Sequence, residues 1–573
     1  MQSNATVKPR IVLLWNQSNT FGLSQDAALI EDVLRNLPFQ LAEKSEVVRL
    51  DPLQPPSPAD IVIHLEVPHP VWFSWAPTQI WMVNPEWCSP NWLPYCSQFT
   101  SIFVKEASRL AEFGPNAIHV PWAVRGPLKP INTDALGLRQ ALWVLGASQN
   151  KHIAARALLP LWPSDFPITV TTVLEEADLP GEFPPSVTVL RGFLEAAKLE
   201  ELNQNSATHV CISAAEGYGF TAAQAEARSA AMILNTLPVY EEYYKGKEYA
   251  GFLETPCVKE GKNHVGFLAD FSSVTTENIK SVLRNTIPSG QTQVDSADAR
   301  LTHFNEQISV LMKKFLKNSK KPSLPPALIL KDCPPISVLT LTYNRRNFIE
   351  LAFLNLLTTD YPKDKIQWVV VEDSDDPSLG VLDKIKAFEL REPGFEITYV
   401  PMTKKRSIGY KRNKAVQHAK HGICVNMDDD DVYPSSSFRR RVSWLKAFPE
   451  AQVVGCTMIA MYDLQQGISA VNTPPWALPQ CQRVSEASFC FWKNYAMEHP
   501  FPDQQMAEGE AFIPGPNQFL EIPPQQILVA LNHGKNTSNR VIAGRAQSGC
   551  FWGWDKKFIT WLHGLVGVQV EAV

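Results

Sequence analysis

The sequence predicts an α/β protein built on mostly parallel sheets. Three observations carry that expectation. Short apolar runs alternate with helical patterns along the first half of the chain. The alternation restarts after a Lys- and Pro-rich stretch, Lys317-Asn-Ser-Lys-Lys-Pro-Ser-Leu-Pro-Pro326. Acidic clusters then recur in the second half, at what read as strand ends, where open parallel sheets bind ligands.

The elements follow in order. Arg10 to Trp15 is an apolar run, and Ser24 is placed to cap a helix through Leu37. Ile61–Leu65, Ile80–Val83, Ser101–Val104 and Ala117–Val120 read as short buried strands. A second series starts at Ala141–Gly146 and continues through Ile168–Val173, Val187–Leu190 and His209–Ser213. Two such series predict two Rossmann-like lobes, 1–130 and 131–317. The stretch 318–334 reads as a linker, and 335–573 as a further α/β domain. In that domain Ile336–Tyr343, Ile366–Val371, Glu396–Val400 and Ile423–Met427 read as strands. Arg346–Leu357 and Tyr410–Ala419 read as helices.

Composition narrows the function classes. With 45% apolar and 19% charged residues the chain forms cores and is not disordered. A net charge of -5 gives no argument for bulk nucleic-acid binding. The ten cysteines are scattered without a CxxC pair, against a disulfide framework or a structural zinc site. No signal core follows Met1, and no apolar run reaches the roughly 18–20 residues that cross a bilayer. The expectation is a cytoplasmic protein. Sixteen tryptophans suit sugar stacking, although core packing is their commoner use.

The sharpest feature is Asp428 to Asp431, entered directly from the apolar run Ile423–Met427. Carboxylates this close repel unless a cation lies among them, and hard oxygens suit Mn²⁺ or Mg²⁺ holding a phosphate. The plain alternative is a solvated acidic turn. Glu372-Asp373 and Glu508-Gly-Glu510 are two further acidic clusters expected at strand ends. Between them Ile408-Gly-Tyr-Lys-Arg-Asn413 opens a helix, where Arg412 can grip a phosphate or make a surface ion pair.

Taken together, Thr342-Tyr-Asn-Arg345, Glu372-Asp-Ser-Asp375, Gly409-Tyr-Lys-Arg-Asn413 and Asp428-Asp-Asp-Asp-Val-Tyr-Pro434 stand in an order that resembles inverting glycosyltransferases of family 2, with the GT-A fold, over about 336–545. The resemblance implies a nucleotide site of Thr342, Tyr343, Arg345, Asp373, Arg412, Asp428 and Asp429. It implies a Mn²⁺ or Mg²⁺ site of Asp430 and Asp428, with Asp431 in support and His533 completing the shell; a lone histidine is otherwise more often structural. It implies a catalytic base in a Gly-acid segment, here Glu510, with Glu508 in reserve.

In the first half, Ser213-Ala-Ala-Glu-Gly-Tyr-Gly-Phe220 makes a strand, a glycine turn and a helix, an anion cradle. Followed by Glu226, it resembles the donor site of retaining family 4 glycosyltransferases, with the GT-B fold. The resemblance implies Glu216 for the sugar, Glu226 for the ribose and Lys151, in Gly146-Ala-Ser-Gln-Asn-Lys151, for the diphosphate. Asn84-Pro-Glu-Trp87 resembles a first-lobe segment of such enzymes. Two departures stand out. Nine residues separate Glu216 from Glu226 where seven are usual, so that Gln224 holds the expected position, and Ala147 stands where a second basic residue is often found.

The two resemblances imply a two-module glycosyltransferase, similar to glycan-building proteins of large DNA viruses and bacteria. Its donor would be a UDP- or GDP-sugar and its acceptor a glycan or glycoprotein. Two alternatives stand: an active C-terminal domain beside a non-catalytic glycan-binding or scaffold half, or a carbohydrate-binding protein with both domains inactive.

Overall fold

A computed structural model describes residues 8–568 except 20–21, 38–44, 133, 135–139, 175–178, 180, 260–263, 289, 318–321, 327–329, 514, 535 and 538–545. Much of the expected linker at 318–334 therefore lies outside the described residues. The chain divides into two units: 1–54, 59–68 and 76–321 form the first, and 55–58, 69–75 and 322–573 form the second. Two short pieces of the N-terminal half thus belong to the second unit.

The first unit holds two parallel sheets. One comprises β1 (Arg10–Leu14), β2 (Glu46–Leu50), β3 (Ile61–Leu65), β4 (Thr78–Val83), β5 (Ser101–Val104) and β6 (Ala117–His119), in the order β2-β1-β3-β4-β5-β6. β3 and β4 are buried along their whole length, as a parallel sheet covered on both faces requires. The first helix is Gly22–Arg35, so Ser24 lies inside its first turn and does not cap it. The long helix Gln291–Lys317 places Phe304, Ile308 and Met312 at four-residue spacing on one face. That face packs into the core of the first sheet, with Trp122 edge-on to Phe304 at 4.8 Å. The chain therefore returns to its first lobe after completing its second.

The second sheet comprises β7 (Ala141–Gly146), β8 (Ile168–Thr172), β9 (Val187–Arg191), β10 (Thr208–Val210), β11 (Ala231–Asn235) and β12 (Ala250–Leu253). Its order, β12-β11-β10-β7-β8-β9, reverses between β7 and β10. Chain leaving the carboxyl ends of those two strands flanks the crevice where such sheets bind ligands. A hairpin of β13 (Cys257–Lys259) and β14 (Phe267–Ala269) follows.

The second unit contains β15 (Ile336–Thr342), β16 (Ile366–Glu372), β17 (Glu396–Pro401), β18 (Ile423–Asn426), β19 (Asp431–Val432), β20 (Val453–Gly455), β21 (Ile459–Asp463), β22 (Ile468–Asn472), β23 (Cys490–Trp492), β24 (Phe519–Glu521), β25 (Val529–Asn532) and β26 (Gln547–Ser548). Its larger sheet runs β17-β16-β15-β18-β23-β20-β24, with only β23 reversed. The smaller sheet runs β19-β25-β21-β22-β26. The α/β architecture with mostly parallel sheets is as the alternation predicts. One expectation fails: Glu508 follows no strand but precedes a helical turn, Gly509–Phe512. No helix among the described residues is long and apolar enough to cross a membrane.

Candidate active site

The Asp428–Asp431 run sits where the two sheets of the second unit meet. β18, buried throughout, delivers the chain to the acids. β19 then carries Asp431 into the smaller sheet, opposite Ala530 of β25. β25 ends at Asn532, which brings His533 Nε2 to 2.9 Å from Asp430 Oδ2. Carboxylate oxygens of Asp428, Asp430 and Asp431 all lie within 4.8 Å of one another. Ligands about 2.1 Å from one small divalent cation stand at most about 4.2 Å apart. The hard-oxygen set therefore fits Mn²⁺ or Mg²⁺ after closing by a few tenths of an ångström. Like charge and burial act on the same acids. Burial raises the Asp428 carboxyl, and it pushes the fully buried Asp429 up to about 6 against the pull of Arg345.

Arg345 is the principal counter-charge. Its Nη1 lies 2.8 Å from Asp429 Oδ1 and 2.6 Å from Asp430 Oδ2. It belongs to the turn after β15, which also holds Asn344 at φ +52. Asn344 Nδ2 and Tyr343 Oη both donate to Asp375, at 2.7 and 2.9 Å, fixing that turn.

A cleft of about 580 Å³ opens over the acids. Thr342, Tyr343, Arg345, Arg412, Asp428 and Asp430 line it, as do Glu508 and His533. The cations Arg346, Lys405, Arg406 and Lys411 also line it, a surplus of positive charge suited to a diphosphate. Asp373 and Asp429 are buried and do not line the cleft. Asp373 instead accepts from Lys411 Nζ at 2.7 Å and from Arg406 N–H at 2.8 Å. It positions two residues that do face the cleft. Arg412 is engaged on the protein itself, with Nε 2.8 Å from Glu508 Oε1 and Nη1 3.7 Å from Asp428 Oδ1.

The segment carrying Glu508 is seated on the helix Ile408–His418. A Cβ at Gly409 would lie 1.8 Å from Pro502 O, so only glycine admits this approach. Gly409 N–H donates to Gln504 O at 3.1 Å across the same contact. Ala507, at φ +56, then turns Glu508 toward Arg412. Glu508 and Glu510 are two residues apart in helical backbone, roughly 200° around the axis, so they face opposite sides. Glu510 is exposed and lies outside the cleft, held by Gln482 Nε2 at 2.7 Å. Of the two base candidates, the reserve, Glu508, lines the cleft and the first choice, Glu510, does not. Sequence reading missed Glu486, which lines the cleft from a 3₁₀ turn, Glu486–Ser488, before β23. No motif marks it.

In the first unit, Lys151 and Glu216 lie on the chain leaving β7 and β10, at the crevice of the second sheet. Ser148 caps the helix Gln149–Leu158 through Lys151 N–H at 3.4 Å, and Lys151 Nζ reaches Thr221 Oγ1 at 3.3 Å. Glu216 Oε2 accepts from Tyr240 Oη at 3.4 Å. Glu226 is fully buried and committed elsewhere. It accepts from Tyr249 Oη at 2.7 Å and Lys247 Nζ at 3.2 Å, and it pairs with Arg300. Gln224, at the position a second glutamate usually takes, donates to Gln25 at 3.1 Å. Glu86 crowds the glycine turn: a Cβ at Gly217 would lie 2.2 Å from its Oε2. Burial, with Glu216 adding to it, pushes the Glu86 carboxyl up to about 8.

Residues 337–495, in the second unit, match the family described as glycosyl transferase family 2. No curated protein matches the chain. Among solved structures the chain is similar to mannosyltransferase PcManGT from Pyrobaculum calidifontis in complex with GDP-Man and Mn²⁺. The identity is 21%, over 38% of this chain and 61% of that one, with a TM-score of 0.29. It is also similar to S. aureus TarS 1-349 in complex with UDP-GlcNAc, at 17% identity over 35% of this chain and 60% of that one, with a TM-score of 0.27. The chain thus spans about six-tenths of the length of these neighbours.

Proposed function

We infer that the second unit transfers a sugar from a nucleotide-sugar donor to a glycan acceptor, with inversion, aided by Mn²⁺ or Mg²⁺. The observation that supports this most is the three-carboxylate set of Asp428, Asp430 and Asp431 in a cleft otherwise rich in Arg and Lys. A nucleoside diphosphate needs both, a cation site and fixed positive charge. Asp430, Asp428 and Asp431 would hold the metal with His533 beside them, and the metal would offset charge on the leaving diphosphate. Tyr343 and Thr342 would face the nucleoside. Lys411 and Arg406, positioned by Asp373, and Arg345 would neutralise phosphate oxygens. Inversion needs one carboxylate to take the acceptor proton, and Glu508 and Glu486 line the cleft.

The reading that only this unit is catalytic has its own support. Glu226, expected on a ribose, is buried in a cluster with Arg300, Lys247 and Tyr249. Glu86 also fills the space beside Gly217. We therefore assign the N-terminal lobes a binding or scaffold role, with Lys151 and Glu216 at their crevice.

A panel of UDP- and GDP-sugars, read by nucleotide release with Mn²⁺, Mg²⁺ or chelator, tests the assignment. The expected result is release from one donor class that chelation abolishes. Metal-independent release, or none with any donor, contradicts it.

A further inference from the structure

We propose that Glu486 is the group that takes the proton from the sugar-accepting hydroxyl, an assignment that rests on the glycosyl-transfer reading above. The fold holds Glu486 close to the acids by its backbone. Its carbonyl accepts from Asn426 Nδ2 at 2.7 Å, and Asn426 ends the strand that delivers Asp428. Its side chain lines the same cleft as Asp428 and Asp430.

Gly509 makes room for it. A Cβ at position 509 would come 2.7 Å from Glu486 Oε1, and the Gly509 N–H donates to that oxygen at 2.9 Å. The residue's own backbone N–H also acts on this carboxylate, and the Gly509 bond goes to Oε1, not to Oε2. Glu508 differs. It is the direct ion-pair partner of the buried Arg412, and protonating it would strand that guanidinium. The charged groups facing Glu486 are Glu508 and Arg412, with Asp428 beyond Arg412. Burial, then the charge of Glu508, push the Glu486 carboxyl up to about 7, suited to a base at neutral pH.

The step balances without a further reactant. The hydroxyl oxygen bonds to the anomeric carbon as the bond from that carbon to the diphosphate oxygen breaks. The electron pair leaves with the nucleoside diphosphate, and the hydroxyl proton passes to Glu486 Oε2.

The test uses the full chain with Mn²⁺ and the same UDP- and GDP-sugars, with water as the acceptor. Glu486→Gln should bind UDP or GDP within about twofold of the unsubstituted protein and release nucleotide roughly 10²–10⁴-fold more slowly. The rise of release with pH, centred near 7 in the unsubstituted protein, should vanish. Azide needs no deprotonation, so it should restore release in Glu486→Ala with formation of a glycosyl azide. Near-normal release by Glu486→Gln with its pH limb intact overturns the proposal. So does loss of that limb in Glu508→Gln alone. If the unsubstituted protein binds neither UDP nor GDP with Mn²⁺, the transfer reading fails first and the proposal falls with it.

Discussion

Arg345 Nη1 lies 2.6 Å from Asp430 Oδ2, the same oxygen that His533 Nε2 meets at 2.9 Å. Arg345 therefore offers positive charge to a carboxylate that we propose as a metal ligand, and a bound cation would compete with it. Arg345→Gln should tighten Mn²⁺ binding in the absence of nucleotide by about tenfold, on the order of 1.4 kcal/mol, at low salt. It should at the same time weaken nucleotide binding. Titration of Mn²⁺ followed by electron paramagnetic resonance reads the first effect, and unchanged or weaker Mn²⁺ binding contradicts it.

Lys411 and Asp373 form a buried pair at 2.7 Å, with 5% and 1% of each residue exposed. Removing one member leaves the other charge uncompensated, which costs about 3–5 kcal/mol. Lys411→Met should show this loss in urea denaturation of the second unit. Lys411→Met with Asp373→Asn should recover most of it.

The carbonyl oxygen of Pro502 fills the space that a Cβ at position 409 would need. Gly409→Ala should displace the segment that carries Glu508 and lower turnover roughly 10²-fold, the cost of about 1 Å of misplacement. Affinity for UDP or GDP with Mn²⁺ should change far less. Equal losses in turnover and affinity would mean that the contact supports the whole cleft.

Glu86 makes the first unit sensitive to pH. Burial raises its carboxyl to about 8 in the folded chain, from an ordinary value of 4.5. The unfolded chain therefore loses its proton first, and stability contributed by the protonated form falls as pH rises from 4.5 to 8. Over that window the loss approaches roughly 5 kcal/mol at most. Glu86→Gln should flatten the difference between denaturation at pH 5 and at pH 8. An unchanged difference would place the titration elsewhere.

How far the sequence carries depends on what each residue rests on. Asp428–Asp431 were legible because an apolar run must end in something, and four acids there demand a cation or water. The parallel lobes were legible because doubly covered strands read as continuous apolar runs. β2 was not, since Glu-Val-Val-Arg-Leu is a charged edge strand. Ser24 failed as a cap because it lies inside the helix, whose described residues begin at Gly22. Glu510 and Glu508 share one motif, and only the helical turn that follows decides which faces the cleft. Glu226 already departed from the expected spacing to Glu216, and its actual partners Arg300 and Tyr249 lie far along the chain. Glu486 had no local signal at all. Its place comes from Asn426 and Gly509, 60 and 23 residues away.

Calorimetric titration of the full chain with UDP and with GDP, in Mn²⁺ and in chelator, tests for a metal-dependent nucleotide site at the aspartate cluster. Binding of one nucleotide should require Mn²⁺ and be lost in Asp430→Ala. Binding that survives chelation, or that persists with its metal dependence intact in Asp430→Ala, would contradict it.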